Sequence, residues 1–283
     1  MKRALFALAS LLLPATAFAQ SAAEPPAGVP ATAPTALSGE VAGAPAPQGS
    51  ETKDVRNELP IVAYTYAAAG VSAKTIGVQA YGLGLVAQGQ DGAVGGGGAV
   101  WGSPIDRLTI VADAQRNVTR DFSPSAAAIV RLYGNGGEGL TLGALGKFKI
   151  DGFGKGPSGD EVESELEIGG LLSFASAGWH LDANAIAGRG LGDDGEMDTE
   201  GRLRLGRDVG SWARVGIDGQ ARVRVAGPLT LANGRSWDFA AGPQVLAYSG
   251  NFFGALTAGP TSIGLLSQNV GFTAIVSVGG TTF

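Results

Sequence analysis

The chain has 283 residues, 20 of them Lys or Arg and 25 Asp or Glu, for a formal charge of −5, with one histidine and no cysteine. Without cysteine it makes no disulfide, thiolate metal centre or acylated lipoprotein anchor. The acidic balance argues against a nucleic-acid partner, and a lone His180 leaves no multi-histidine metal cluster.

In chain order, residues 1–19 open with Lys2 and Arg3, continue through an apolar core from Ala4 to Leu13, and close on Ala17-Phe18-Ala19. This is the pattern of a secretory signal peptide. Residues 20–58 are dominated by Ala and Pro, as in Ala44-Pro45-Ala46-Pro47, with too little bulky apolar surface to offset the entropy of ordering. They are expected to be a disordered periplasmic tether. Residues 59–74, which include Leu59-Pro60-Ile61-Val62-Ala63-Tyr64, form a lead-in with three open readings: a lumen plug, an interfacial helix or an extra strand.

Beyond the tether no apolar run reaches the ~18 to 20 residues of a membrane-spanning helix. The dominant signal is instead alternation with a period of two. It is clearest from Leu140 to Phe174. In the first arm, Leu140, Leu142, Ala144, Phe148 and Ile150 alternate with Thr141, Leu145, Lys147, Lys149 and Asp151. A glycine-rich turn follows. The second arm sets Val162, Leu166, Ile168 and Leu172 against Glu161, Glu163, Glu165 and Glu167. The two arms read as a hairpin that brings Lys149 near Glu163 and Lys147 near Glu165.

The same reading over residues 75–283 gives twelve strands: Thr75 to Ala87, Ala93 to Trp101, Arg107 to Gln115, Ser125 to Tyr133, Leu140 to Asp151, Glu161 to Phe174, Trp179 to Arg189, Met197 to Gly206, Trp212 to Val225, Trp237 to Ala247, Phe252 to Gly259 and Val270 to Val278. Most are close to the ~9 to 11 residues that cross a bilayer when tilted. Connections on one side are mostly longer than on the other, as expected for an outer-membrane barrel with short periplasmic turns. The expected fold is therefore all-β: a transmembrane antiparallel up-and-down β-barrel of about 12 strands.

Charge placement assigns the faces. An Arg or Lys facing lipid costs ~2 to 4 kcal/mol at the bilayer midplane. Lys147, Lys149, Glu163, Glu165, Glu167, Asp182, Arg202, Arg204, Arg214, Asp218, Arg222 and Arg224 are accordingly expected to line the lumen. Acidic and basic rows that face one another across water would make a transverse field for polar solutes; rows that touch would make a salt-bridged plug.

With this alternation, the export signal and the terminal aromatic Phe283, the chain resembles Gram-negative outer-membrane β-barrel proteins over roughly Thr75 to Phe283. The resemblance implies a porin-like channel for small polar or charged solutes. The alternative is a closed barrel serving as a structural or surface-complex subunit of the envelope. It also implies outer-membrane lipid and lipopolysaccharide as surroundings, the barrel-assembly machinery during biogenesis, and an envelope protein as an optional partner. Trp101, Trp179, Trp212, Trp237, Phe252 and Phe253 are candidates for aromatic girdles. The segment Gly279 to Thr282 interrupts the pattern that would carry the last strand to Phe283.

Three motifs have competing explanations. His180 falls on the inner face, away from lipid, and is expected to be a polar lumen residue rather than a catalytic base. The glutamate row has a spacing compatible with glycosidase chemistry, but neighbouring lysines would keep each carboxylate ionised. Asp193, Asp194, Glu196, Asp198 and Glu200 lack the order and glycine of a calcium loop. No catalytic residue, metal or cofactor is expected.

Overall fold

The computed structural model describes residues 59–87, 92–116, 122–151, 162–192, 195–226, 237–262 and 270–282. The leader, the tether, Glu161, Asp193, Asp194 and Phe283 lie outside the described residues. Two short strands come first, β1 (Ile61–Val62) and β2 (Thr65–Tyr66), paired only with each other. Twelve long strands follow: β3 (Ile76–Ala87), β4 (Ala93–Ile105), β5 (Leu108–Arg116), β6 (Phe122–Tyr133), β7 (Gly139–Asp151), β8 (Glu163–Ser176), β9 (Trp179–Gly190), β10 (Met197–Val209), β11 (Ala213–Ala226), β12 (Trp237–Ser249), β13 (Phe252–Ser262) and β14 (Val270–Thr282). Each pairs antiparallel with its sequence neighbours, and β14 pairs with β3 from Gly271↔Ala87 to Thr282↔Ile76, closing the barrel.

The period of two becomes an inside and an outside. Along β11, Val215, Ile217 and Val225 are exposed while Arg214 and Asp218 are buried. Along β7, Leu140, Leu142 and Phe148 are exposed while Thr141 and Leu145 are buried. Every barrel strand carries at least one exposed large apolar side chain. Soluble monomers rarely expose an apolar patch beyond ~300 to 600 Å². A belt running around the whole wall is stable only in contact with hydrocarbon.

At one end the strands join through residues 106–107, 134–138, 177–178, 210–212 and 250–251. Ala177 and Gly178 both have positive φ, the backbone hand that matches the twist of a two-residue hairpin. Longer connections, mostly outside the described residues, occupy the other end.

Three expectations are corrected. Lys147 pairs with Glu167 and Lys149 with Glu165, one cross-strand step from the expected register. Trp101 and Phe253 are not girdle residues: they are 1% and 4% exposed, face inward, and lie with ring centroids 6.3 Å apart. Each ring rests on a glycine of the neighbouring strand, Gly77 beneath Trp101 and Gly279 beneath Phe253, where a Cβ would come within 2.3 and 2.6 Å of the ring. Finally, β14 does not stop at Val278. It continues to Thr282, because Gly279 is the seat for Phe253 and not a strand break. Trp179, Trp212, Trp237 and Phe252 are exposed at strand ends.

Candidate functional site

Residues 59–73 are not part of the wall; they run through the space it encloses, and the chain joins the wall where Lys74 and Thr75 bond the Ser103 backbone of β4. Leu59, Thr65, Tyr66, Ala68 and Val71 are each 5% exposed or less, although β1 and β2 make only a two-rung ladder. Buried backbone amides and carbonyls need partners, and so short a hairpin supplies few of its own. The wall provides them. Tyr66 N–H donates to Asn184 Oδ1 (2.8 Å) and its carbonyl accepts from Asn184 Nδ2 (2.9 Å). Ala68 N–H donates to Ser173 (2.8 Å), Val71 N–H to Thr109 (2.9 Å) and Tyr64 N–H to Asp218 (3.2 Å). Arg202 donates to the Tyr64 carbonyl (2.9 Å) and sits 5.0 Å over the Tyr66 ring. Arg131 donates to the Ala69 carbonyl (3.4 Å) while it is paired with Asp106 (2.5 Å).

Six strands, β5, β6, β8, β9, β10 and β11, thus grip the segment 64–71, and the Thr65 hydroxyl also donates to Asp218 (2.5 Å). Asp218 is 1% exposed and also accepts from Gln244 (2.9 Å), which is itself bonded to Thr257 (3.0 Å). Burial pushes the Tyr64 phenol above its ordinary value, and a hydrogen bond with Thr273 of β14 works in the opposite sense. Apolar contact completes the seat: Leu59, Tyr66, Ala68 and Val71 pack with Trp101, Val111, Ile129, Leu145, Leu171, Ile186, Leu246 and Phe253 in one core.

The ionic side chains surround this seat. Arg204 donates twice to Asp182 (2.9 and 2.7 Å), and Asp182 accepts from Ser173 (2.5 Å), which ties that pair to the Ala68 anchor. Lys147 meets Glu167 at 3.3 Å, Lys149 meets Glu165 at 3.4 Å, and Arg202 meets Glu200 at 2.9 Å. Arg222 bonds Asp198 and approaches Glu165 at 3.5 Å, and Arg224 meets Glu196 at 3.0 Å. Arg214 donates to Asp208 (2.8 Å), and both contact His180. Glu163 is exposed at the long-loop end, opposite Asp151. The acidic and basic groups therefore touch; they do not face one another across open water. The described carboxylates of the 196–200 cluster are each bonded to an arginine.

The inserted segment borders two cavities, through Ile61, Ala63, Tyr64 and Tyr66 on one side and Leu59, Ala67 and Ala69 on the other. A cavity of about 630 Å³ opens toward the long loops, lined by Tyr64, Tyr66, Gln79, Tyr81, Asp113, Lys147, Glu200, Arg202, Arg222 and Asp238 among others. One of about 230 Å³ lies toward the short turns, lined by Ala67, Thr141, His180, Asp182, Arg204, Asp208 and Arg214 among others. Asn184, Ser173, Thr109, Gln244, Arg131 and Gln79 were missed from sequence. For Asn184 there was a signal, since it falls on the parity of Asp182.

An exposed apolar belt around a closed antiparallel wall whose ionic groups are paired inside is the architecture of a transmembrane β-barrel of the outer-membrane type. No protein-family model matches the chain, and no curated protein matches it. Among solved structures it is similar to the KdgM porin in complex with disordered oligogalacturonate, at 6% identity over 72% of this chain and 99% of that one, with TM-score 0.49. It is also similar to an outer-membrane channel from Pseudomonas putida F1, at 13% identity over 80% and 100%, TM-score 0.47. The translocator domain of the autotransporter NalP from Neisseria meningitidis matches at 13% identity over 73% and 87%, TM-score 0.46.

Proposed function

We propose that this barrel is a porin-like channel for small polar or charged solutes, held shut at rest by the hairpin of residues 61–66. The observation that carries this reading is the pair of cavities, about 630 and 230 Å³ and both lined by ionic side chains, lying on the two sides of the inserted segment 59–69 within one wall. If the segment leaves with its hairpin, the two would join. The path would then be lined by Lys147, Lys149, Glu165, Glu167, Asp182, Arg202, Arg204, Arg214, Asp218, Arg222 and Arg224, with Glu163 at the outer rim. Ionic pairs along the wall hold these side chains against it and keep the bore polar without leaving an isolated buried charge.

The short-turn end would face the periplasm and carry the tether, and the long-loop end would meet lipopolysaccharide. The barrel-assembly machinery is the expected partner in biogenesis. An envelope protein bound to the tether could set when the hairpin moves. No catalytic chemistry is assigned: His180 is held by Asp208 and Arg214, and the described glutamates Glu165 and Glu167 by Lys149 and Lys147. Planar-bilayer recording tests the reading, comparing the full chain with one in which residues 61–66 are replaced by a Gly/Ser linker. Infrequent openings in the first and sustained conductance in the second are expected. No conductance from either folded protein would sink it in favour of a closed structural barrel.

A further inference from the structure

We propose that the bore passes cations in preference to anions, and that Asp218 is the residue that sets this choice. The proposal deepens the channel reading and rests on it. The substrate class it names is the small cation, an alkali ion or a protonated amine.

Every lysine and arginine assigned to the path is bonded to a carboxylate of its own, so these pairs add no net charge. Asp113, Asp218 and Asp238 are left over: none of them makes an ion pair with a described residue. The cross-strand neighbour of Asp218 is Arg204, whose two hydrogen bonds go to Asp182. The neighbour of Asp238 is Arg222, which bonds Asp198. Asp113 stands between Ala99 and Ser125, and the lysines two strands along are held by Glu167 and Glu165. The surplus charge of the path is therefore negative. Asp113 on β5 and Asp238 on β12 carry it into the long-loop cavity from nearly opposite parts of the wall.

Asp218 stands deeper. Along β11, Gln220 and Arg222 line the long-loop cavity and Arg214 lines the short-turn cavity, which places Asp218 between the two. There it is 1% exposed and bonded by neutral donors, the Tyr64 N–H, the Thr65 hydroxyl and the Gln244 amide. The first two belong to the inserted segment. With that segment out, Gln244 is the donor that remains, and the carboxylate faces the water that takes the segment's place. A fixed negative charge at the junction of two cavities, inside a low-dielectric wall, concentrates cations and excludes anions.

The test is the reversal potential of the folded full-length protein in a planar bilayer under a tenfold KCl gradient, read from its single openings and from the sustained current of the chain with the Gly/Ser linker in place of residues 61–66. K⁺ should be favoured over Cl⁻ at least fivefold. Asp218→Asn keeps the shape and an acceptor oxygen but not the charge, and should lower that ratio at least twofold; Asp218→Glu should hold it. Adding Asp113→Asn and Asp238→Asn should bring the ratio to parity or below. A role confined to seating the segment would change how often the channel opens but not the potential at which its current reverses. Equal permeation, preference for Cl⁻, or a ratio unmoved by Asp218→Asn would overturn the proposal and leave the channel reading standing. If Asp218→Asn does not fold, the sign of the parent's reversal potential decides together with the Asp113→Asn, Asp238→Asn double variant, which should lower the ratio at least twofold. Current from neither chain would instead refute the channel reading, and this proposal with it.

Discussion

Asn184→Ala tests the closing role of the hairpin most directly. Asn184 holds both polar groups of the Tyr66 peptide, at 2.8 and 2.9 Å, in a place where Asn184 is 5% and Tyr66 1% exposed. With alanine, the Tyr66 N–H and carbonyl lose these partners while the hairpin is docked but are hydrated when it is out. An unsatisfied buried group costs ~1 to 3 kcal/mol, so the docked state loses ~2 to 6 kcal/mol relative to the undocked one. At ~1.4 kcal/mol per factor of ten, the open population rises by about 30-fold to 10⁴-fold. Single-channel recording reads this as open probability. The amplitude of each opening should not change, because the wall ladder is untouched. If a folded Asn184→Ala protein opens no more often than the parent, the hairpin is not what shuts the barrel.

Three further tests bear on other parts of the structure. Because the chain has no native cysteine, Ala68→Cys with Ser173→Cys places a single thiol pair where the Ala68 amide and the Ser173 hydroxyl are 2.8 Å apart; oxidation should abolish openings, and reduction should restore them within the same recording. Arg204→Ala strands the buried Asp182 carboxylate and should lower stability in a denaturant titration by ~3 to 5 kcal/mol, whereas Arg204→Met combined with Asp182→Leu should recover most of it. Leu203→Arg, on the exposed face beside Arg204, should cost ~2 to 4 kcal/mol of folding free energy in lipid if it lies near midplane depth; a neutral effect in a lipid-refolding assay would contradict the membrane-facing assignment.

What could be read in the sequence was whatever depends on parity. An Arg–x–Arg such as Arg202 and Arg204, with Leu203 and Leu205 between and after, admits only one orientation in a wall with hydrocarbon on one side. Repeated over residues 75–283 this gives the strand count and the all-β class. Parity is blind, however, to a slip of two residues. Lys149 opposite Glu163 and Lys149 opposite Glu165 keep every face unchanged, and it is the second that the folded wall adopts. The same limit explains Phe252 and Phe253: adjacent residues must take opposite faces, and the glycine that makes room for the inner ring, Gly279, lies on another strand. The glycine run before Trp101 carries no alternation to read.

The hairpin was beyond the sequence for a stronger reason. Leu59 to Ala69 has no period of its own that tells a plug from a helix or a thirteenth wall strand. Its conformation is fixed by Thr109, Ser173, Asn184, Arg202 and Asp218, which lie 38 to 154 residues away and meet only when the barrel closes. Local alternation therefore determined which side chains turn away from lipid. The tertiary structure decided what they turn toward, because the bonds that seat residues 64–71 run from side chains on separate strands, Thr109, Arg131, Ser173, Asn184, Arg202 and Asp218, to one backbone.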